Sequence, residues 1–211
     1  MLKLENISKQ FRAGKTIFSS VNFTFEPGEF IGLIGPNGSG KTTFLRLLSV
    51  NSYPTDGKVI YNGIDIHKDP QAFLKNVGLV HDEESLPMHL SAVELLEWVV
   101  RSREKWNEES LKKINSLLDT LSLMEDRDQQ IGTYSTGMKK KTQIAAAFII
   151  EPELLILDEP MRGLDVSTRE IVLDMLIEAK KNGAIVLIAS HTIDRSASYI
   201  NSIIDFPLTN T

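Results

Sequence analysis

Four apolar runs without polar alternation punctuate the chain: Phe30–Ile34, Val77–Val80, Leu154–Leu157 and Ala184–Ala189. Such runs predict strands buried on both faces, as in a parallel sheet. A second pattern differs from them. Val21-Asn22-Phe23-Thr24-Phe25 alternates, which predicts a half-exposed antiparallel strand. Residues 1–29 and 55–66 read as strand-rich in the same way. Between the second and third apolar runs lies a long helical stretch, at about residues 91–150. Ser91-Ala92-Val93-Glu94 is a capping-box pattern that opens its first helix. Residues 108–121 predict a second, amphipathic helix with Leu111, Ile114, Leu117, Leu118 and Leu121 on one face. The pattern predicts a mixed α/β protein with a parallel sheet, an antiparallel strand region and a helical insert.

Each apolar run ends in polar residues that can face a ligand. The second runs into His81-Asp82, the third into Asp158-Glu159, the fourth into Ser190-His191. The first runs into Gly35-Pro36-Asn37-Gly38-Ser39-Gly40-Lys41-Thr42-Thr43, a phosphate-binding loop of the form G-x-x-x-x-G-K-T. Its glycines let the backbone turn and aim N–H groups at phosphate oxygens. Lys41 supplies a point charge for the β- and γ-phosphates, and Thr42 a hydroxyl for Mg²⁺. A helix starting near Thr42 adds the positive end of its dipole. Ligands of open α/β sheets sit beyond the carboxyl ends of the strands. The four strand ends therefore converge on one magnesium nucleotide. An aspartate at position 158 can hold Mg²⁺ opposite Thr42. A glutamate at position 159 can orient and polarise water.

Composition narrows the class. The 211-residue chain carries 23 basic and 28 acidic side chains, a net charge of −5, which argues against a general nucleic-acid binder. It has no cysteine, so neither a disulfide framework nor a thiolate metal site is expected. Met1–Asn6 lacks the apolar core of a secretory leader, and Ile144–Ile150 is too short to span a bilayer. Any service to a membrane is expected to run through a partner. Lys139, Lys140 and Lys141 read as a solvated helix face.

Taken together, the motifs resemble the ATP-binding cassette (ABC) ATPase family, in order and over nearly the whole chain. Tyr134-Ser135-Thr136-Gly137-Met138 resembles the signature loop, with Ser135 and Gly137 matching. Ser135 also reads as a plain helix N-cap, and the two readings are compatible. Arg162-Gly163-Leu164-Asp165 resembles the D-loop, and His191 the switch histidine. Phe11 falls where the family stacks an aromatic on adenine; an edge-strand packing residue is the alternative. Asp82 stands where the family usually has the Q-loop glutamine. This acidic replacement and the signature variant resemble the branch that serves ABC-2-type exporters.

The resemblance implies a P-loop NTPase fold: a RecA-like parallel core, an antiparallel β subdomain and a signature-bearing helical insert. It implies one domain over residues 1–211, with residues 1–84 and 151–211 as core plus β subdomain and residues 85–150 as helical subdomain. It implies ATP and Mg²⁺ as cofactors, with Thr42, Asp158 and Asp82 as metal-side residues. It implies catalytic roles for Lys41, Glu159 and His191, and a head-to-tail dimer, most simply of two identical chains. Ser135 and Asp165 would then act across the dimer interface. The partner implied is a transmembrane permease whose cytoplasmic helix docks near the segment after Asp82 and the helical insert. Met88, Leu90 and Trp98 are candidates for that contact, although core packing is expected of Trp98. No nucleic-acid partner is expected, and the chain is placed on the cytoplasmic face of the membrane. The alternative is a soluble ABC ATPase acting on nucleic acid or ribosomes.

Overall fold

The structure, a computed structural model, describes residues 1–11, 14–82, 86–191 and 194–208. The chain opens with β1 (Leu2–Gln10), β2 (Thr16–Phe25), β3 (Phe30–Ile34) and α1 (Lys41–Leu48). Next come β4 (Asp56–Tyr61), β5 (Ile64–Asp65), α2 (Pro70–Leu74) and β6 (Val77–Val80). The helices α3 (Ala92–Ser102), α4 (Ser110–Thr120) and α5 (Thr136–Phe148) follow. The chain closes with β7 (Leu154–Asp158), α6 (Val166–Lys181), β8 (Ile185–Ala189) and β9 (Ser202–Asp205).

The strands form two sheets. One is antiparallel in the order β2-β1-β4-β5, and the other has the order β6-β7-β8-β3-β9 with parallel pairings throughout. Every residue of β7 and β8 is buried, as their lack of alternation predicts. A core cluster lies between the two sheets and α1, where Phe44 meets Phe18, Phe23 and Phe206 edge to face. These T-shaped contacts set the positive ring edge of one aromatic against the negative face of another. A second cluster joins the other face of the parallel sheet to α3, α4, α5 and α6.

The capping box at Ser91 forms on both sides: Glu94 N–H donates to Ser91 Oγ at 3.2 Å, and Ser91 N–H to Glu94 Oε2 at 2.7 Å. Helix α4 buries Ile114 and Leu118, and Leu121 follows them into the core, but Leu111 is exposed. At about 100° per residue, Leu111 and Leu117 lie roughly 60° to either side of the line through Ile114. Leu117 packs half-buried against the helical core, whereas Leu111, on the other side of the arc, stays in solvent. The helical stretch is not continuous, because a 3₁₀ turn at Ile131–Thr133 separates α4 from α5.

Two expectations about single residues fail. Trp98 is 62% exposed and does not enter the core. It lies two residues beyond fully buried Leu96, so α3 turns it away from the packed face. Lys140 is only 3% exposed, whereas a solvated lysine face is the sequence reading. Its ammonium donates to the His81 carbonyl at 3.0 Å, which compensates the buried charge. The hydrophobic pattern also fails to announce β9, a short edge strand with one buried residue. β9 pairs with β3 and delivers Phe206 behind the phosphate loop, where Phe206 N–H donates to the Ile34 carbonyl at 2.7 Å.

Candidate functional site

The phosphate loop runs from the end of β3 to the start of α1. Gly40 caps α1 at φ 109°, and Gly38 sits at φ 75°. Both values belong to the left-handed half of the map that glycine tolerates. At Gly40 the limit is also steric, since a Cβ would lie 2.7 Å from Ile17 Cγ2. At Gly35 a Cβ would lie 2.5 Å from the Phe206 carbonyl oxygen. Lys41 is buried and curls back onto the loop, its ammonium donating to Gly35 O at 2.7 Å and Pro36 O at 3.1 Å. Ser39 Oγ is buried without a hydrogen-bond partner among the described residues. A buried hydroxyl left unpaired is costly, and a phosphate oxygen would satisfy it. The loop amides, the Lys41 charge and the α1 N-terminus together make an anion cradle.

Asp158, the last residue of β7, is buried beneath this loop. Burial pushes its carboxyl above the ordinary carboxylate value, and the Asp82 charge pushes the same way. The Thr42 hydroxyl, which donates to it, and the charges of His81 and Lys41 oppose the shift. The Thr42–Asp158 pair presents two oxygen ligands for a hard cation. No group of three or more His, Cys, Asp or Glu suited to a metal occurs among the described residues. The Thr42–Asp158 pair itself fits Mg²⁺, which takes one or two protein oxygens and fills its shell with phosphate and water.

Glu159 has φ 48°, an uncommon conformation for a non-glycine residue. Its N–H donates to Ala189 O at 2.8 Å, which ties the ends of β7 and β8 together. Glu159 Oε1 accepts from the His191 N–H at 3.1 Å and lies 3.4 Å from His191 Nε2. Asp82 meets Arg162, whose Nη1 donates to its Oδ1 at 2.9 Å and its Oδ2 at 3.2 Å. Phe11, at the mouth, is 47% exposed, and the Lys9 ammonium lies 5.7 Å from its ring centroid.

One cleft of about 610 Å³ gathers Phe11, Asn37, Gly38, Ser39, Gly40, Lys41, Thr42, Thr43, Asp82, Asp158, Glu159 and His191. Gly35 and Pro36 contribute through the carbonyls that hold Lys41. Ser135, Gly137 and Asp165 do not line it. Ser135 caps α5 through Met138 N–H at 3.2 Å, and Gly137 lies against Gly163 O, 3.4 Å from where its Cβ would be. Asp165 caps α6, accepting from Thr168 N–H, the Thr168 hydroxyl and the Ser167 hydroxyl. Those bonds, Ser167's first, hold its carboxyl far below the ordinary range. The cleft also recruits Lys15, Ile17, Met161 and Arg169, which sequence reasoning did not single out, together with the strand-end Ser190 and with Arg162, read from sequence only as part of the D-loop-like segment. Arg162 carried a usable signal: a long cation stands three residues after Glu159 and directly before Gly163.

The ABC transporter family profile matches residues 18–162. The chain is 34% identical over 197 residues to the ABC transporter ATP-binding protein YybJ of Bacillus subtilis (strain 168), covering 90% of this chain and 85% of that one. It is 33% identical to the linearmycin resistance ATP-binding protein LnrL of the same organism, covering 92% of this chain and 62% of LnrL. Among solved structures, an ATP-binding subunit of an ABC transporter superposes with a TM-score of 0.91 at 27% identity, covering 98% of this chain and 85% of that one. A dimeric post-hydrolysis state of the ATP-binding cassette MJ0796, bound to ADP and Pi, superposes with a TM-score of 0.85 at 26% identity, covering 98% and 94%.

Proposed function

The chain belongs to the ABC transporter family of ATP-binding ATPases, and on that premise we propose that it is the energy-coupling subunit of a membrane exporter. The observation that carries the reading is a division of the motifs. One cleft holds Lys41, Thr42, Asp158, Glu159 and His191, while Ser135, Gly137 and Asp165 lie outside it. A nucleotide held by the first set leaves the second set free to close on a nucleotide of another copy. We take the assembly as a head-to-tail homodimer around two ATP molecules, with residues 85–150 as the helical subdomain that carries Ser135.

Lys41 leaves the Gly35 and Pro36 carbonyls for the β- and γ-phosphates. Ser39 and the loop amides complete the phosphate shell. Thr42 and Asp158 would hold Mg²⁺, which supplies charge neutralisation at the β- and γ-phosphate oxygens. Glu159 orients water for in-line attack, and His191 both fixes the Glu159 carboxylate and reaches the γ-phosphate. Phe11 offers a face on which adenine stacks. The γ-phosphate gives the closed dimer contacts that the open one lacks, so hydrolysis biases the pair toward opening.

The exporter reading draws on Asp82 in place of glutamine, and on likeness to proteins named for resistance. Besides LnrL, the doxorubicin resistance protein DrrA of Mycobacterium tuberculosis is 29% identical over 202 residues, and this chain spans 61% of it. No helix among the described residues is long and apolar enough to cross a membrane. Trp98 and Met88 are exposed, and we take them, with half-buried Leu90, as the apolar residues offered to a permease on the inner side of the membrane. Residues 83–85, part of the segment after Asp82, lie outside the described residues.

Affinity purification from detergent-solubilised membranes of its own cell tests this. A stoichiometric polytopic membrane protein is expected. Recovery only as a soluble dimer, or with ribosomes or DNA, overturns the transporter role and leaves the ATPase assignment standing.

A further inference from the structure

Asp82 and Asp158 face one cleft, and the Asp82 charge adds to the cost of ionising Asp158. Phosphate would bring more negative charge to the same place. Asp82 is held from two sides. Lys140, from α5, fixes the preceding carbonyl of His81 at 3.0 Å. Arg162 reaches both carboxylate oxygens from the segment after β7. Its own backbone N–H donates to Glu159 O at 3.2 Å, so the Arg162 backbone is anchored just past the end of β7 while its side chain is not.

The two ends of this pair differ in freedom. The Arg162 side chain is 70% exposed and the Asp82 side chain 36%. Such a pair is weak, because water screens it and its long side chain loses entropy when fixed. The guanidinium can swing into solvent without desolvation. A divalent cation at Thr42 and Asp158 carries twice its charge. Building on the nucleotide reading above, we propose that Arg162 is a resident counter-cation that holds Asp82 in the metal-free protein and gives it up when Mg²⁺ arrives with the nucleotide. Arg162 is a positioning residue here: it sets how much metal is needed to capture Asp82, and it softens the cleft toward metal-free nucleotide.

The test measures binding of a non-hydrolysable ATP analogue by calorimetry, in EDTA and across a MgCl₂ titration. The parent, Arg162→Gln, Asp82→Asn and the double variant are compared. Arg162→Gln is expected to lower the Mg²⁺ concentration for half-maximal binding by roughly 2- to 5-fold, the scale of a partly exposed charge pair. It is expected to weaken binding in EDTA by a similar factor. In the Asp82→Asn background the effect on the Mg²⁺ midpoint should vanish. Three results overturn the inference while leaving the nucleotide site in place: an unchanged Mg²⁺ midpoint, equal weakening with and without Mg²⁺, or an undiminished effect in the Asp82→Asn background. Failure of the parent protein to bind the analogue at all overturns the nucleotide reading and this inference with it.

Discussion

Glu159 Oε1 accepts a hydrogen bond from the His191 backbone N–H at 3.1 Å and lies 3.4 Å from that residue's Nε2. One residue thus addresses the same carboxylate oxygen with two groups. The backbone bond fixes where the oxygen sits, and the ring approaches a negative charge that becomes useful only when water or phosphate is present. Glu159 itself is set by the bond from its N–H to Ala189 O, which locks the ends of β7 and β8.

Glu159→Gln keeps the shape and the acceptor oxygen but loses the basic carboxylate. Hydrolysis should fall by about 10² or more, with ATP affinity retained and an ATP-bound dimer accumulating. Size-exclusion chromatography with ATP, alongside phosphate release, checks both. A monomer turning over at the parental rate would remove Glu159 from the reaction.

Lys41→Ala removes the cation that now rests on the Gly35 and Pro36 carbonyls. Calorimetry should show ATP affinity weakened at least about tenfold, the scale of a lost charge-assisted hydrogen bond. Near-parental affinity would contradict the phosphate-loop reading.

Asp158 has a carboxyl raised above its ordinary 3.8 by burial first, with the Asp82 charge adding to it. The folded protein therefore binds this proton more tightly than the unfolded chain. Its ionisation costs stability progressively as pH rises from the ordinary value through the folded one. Asp158→Asn removes the cost. Without nucleotide, the variant's melting temperature should exceed the parent's by about 2 °C or more near neutrality. That gap should shrink as pH falls toward 4, while Mg²⁺-dependent nucleotide binding is lost. Melting curves across pH are decisive, and a gap that grows in acid would reverse the sign.

Lys140→Met keeps the buried volume but leaves the His81 carbonyl without its charged donor. Destabilisation on the order of 2 kcal/mol follows from losing such a bond in a buried setting. Denaturant unfolding measures it. A stability change under about 0.5 kcal/mol, the range of plain surface substitutions, would return Lys140 to the solvated face the sequence suggests.

Trp98→Asp tests the apolar face proposed for the permease. Trp98 is exposed, so the isolated chain should keep its melting temperature and ATP hydrolysis. Recovery with membranes from its own cell should drop several-fold. Unchanged recovery moves the contact elsewhere.

The sequence by itself determined the ligand class and the frame of the site. The glycines, Lys41 and Thr42 act through local backbone geometry, which neighbouring residues dictate. The four apolar runs fixed the buried parallel strands, because burial on both faces leaves no room for alternation. The Ser91 capping box was equally local. Tertiary structure decided what depends on residues far apart in the chain. It placed β9 beside β3, so that Phe206 closes behind Gly35. It buried Lys140 against a carbonyl 59 positions away, and it left Trp98 exposed on the side of α3 turned away from buried Leu96. It paired Asp82 with Arg162 across 80 positions. A periodicity reports which face of an element is apolar, but the partner that a lone charge or ring will meet is fixed only when the elements dock.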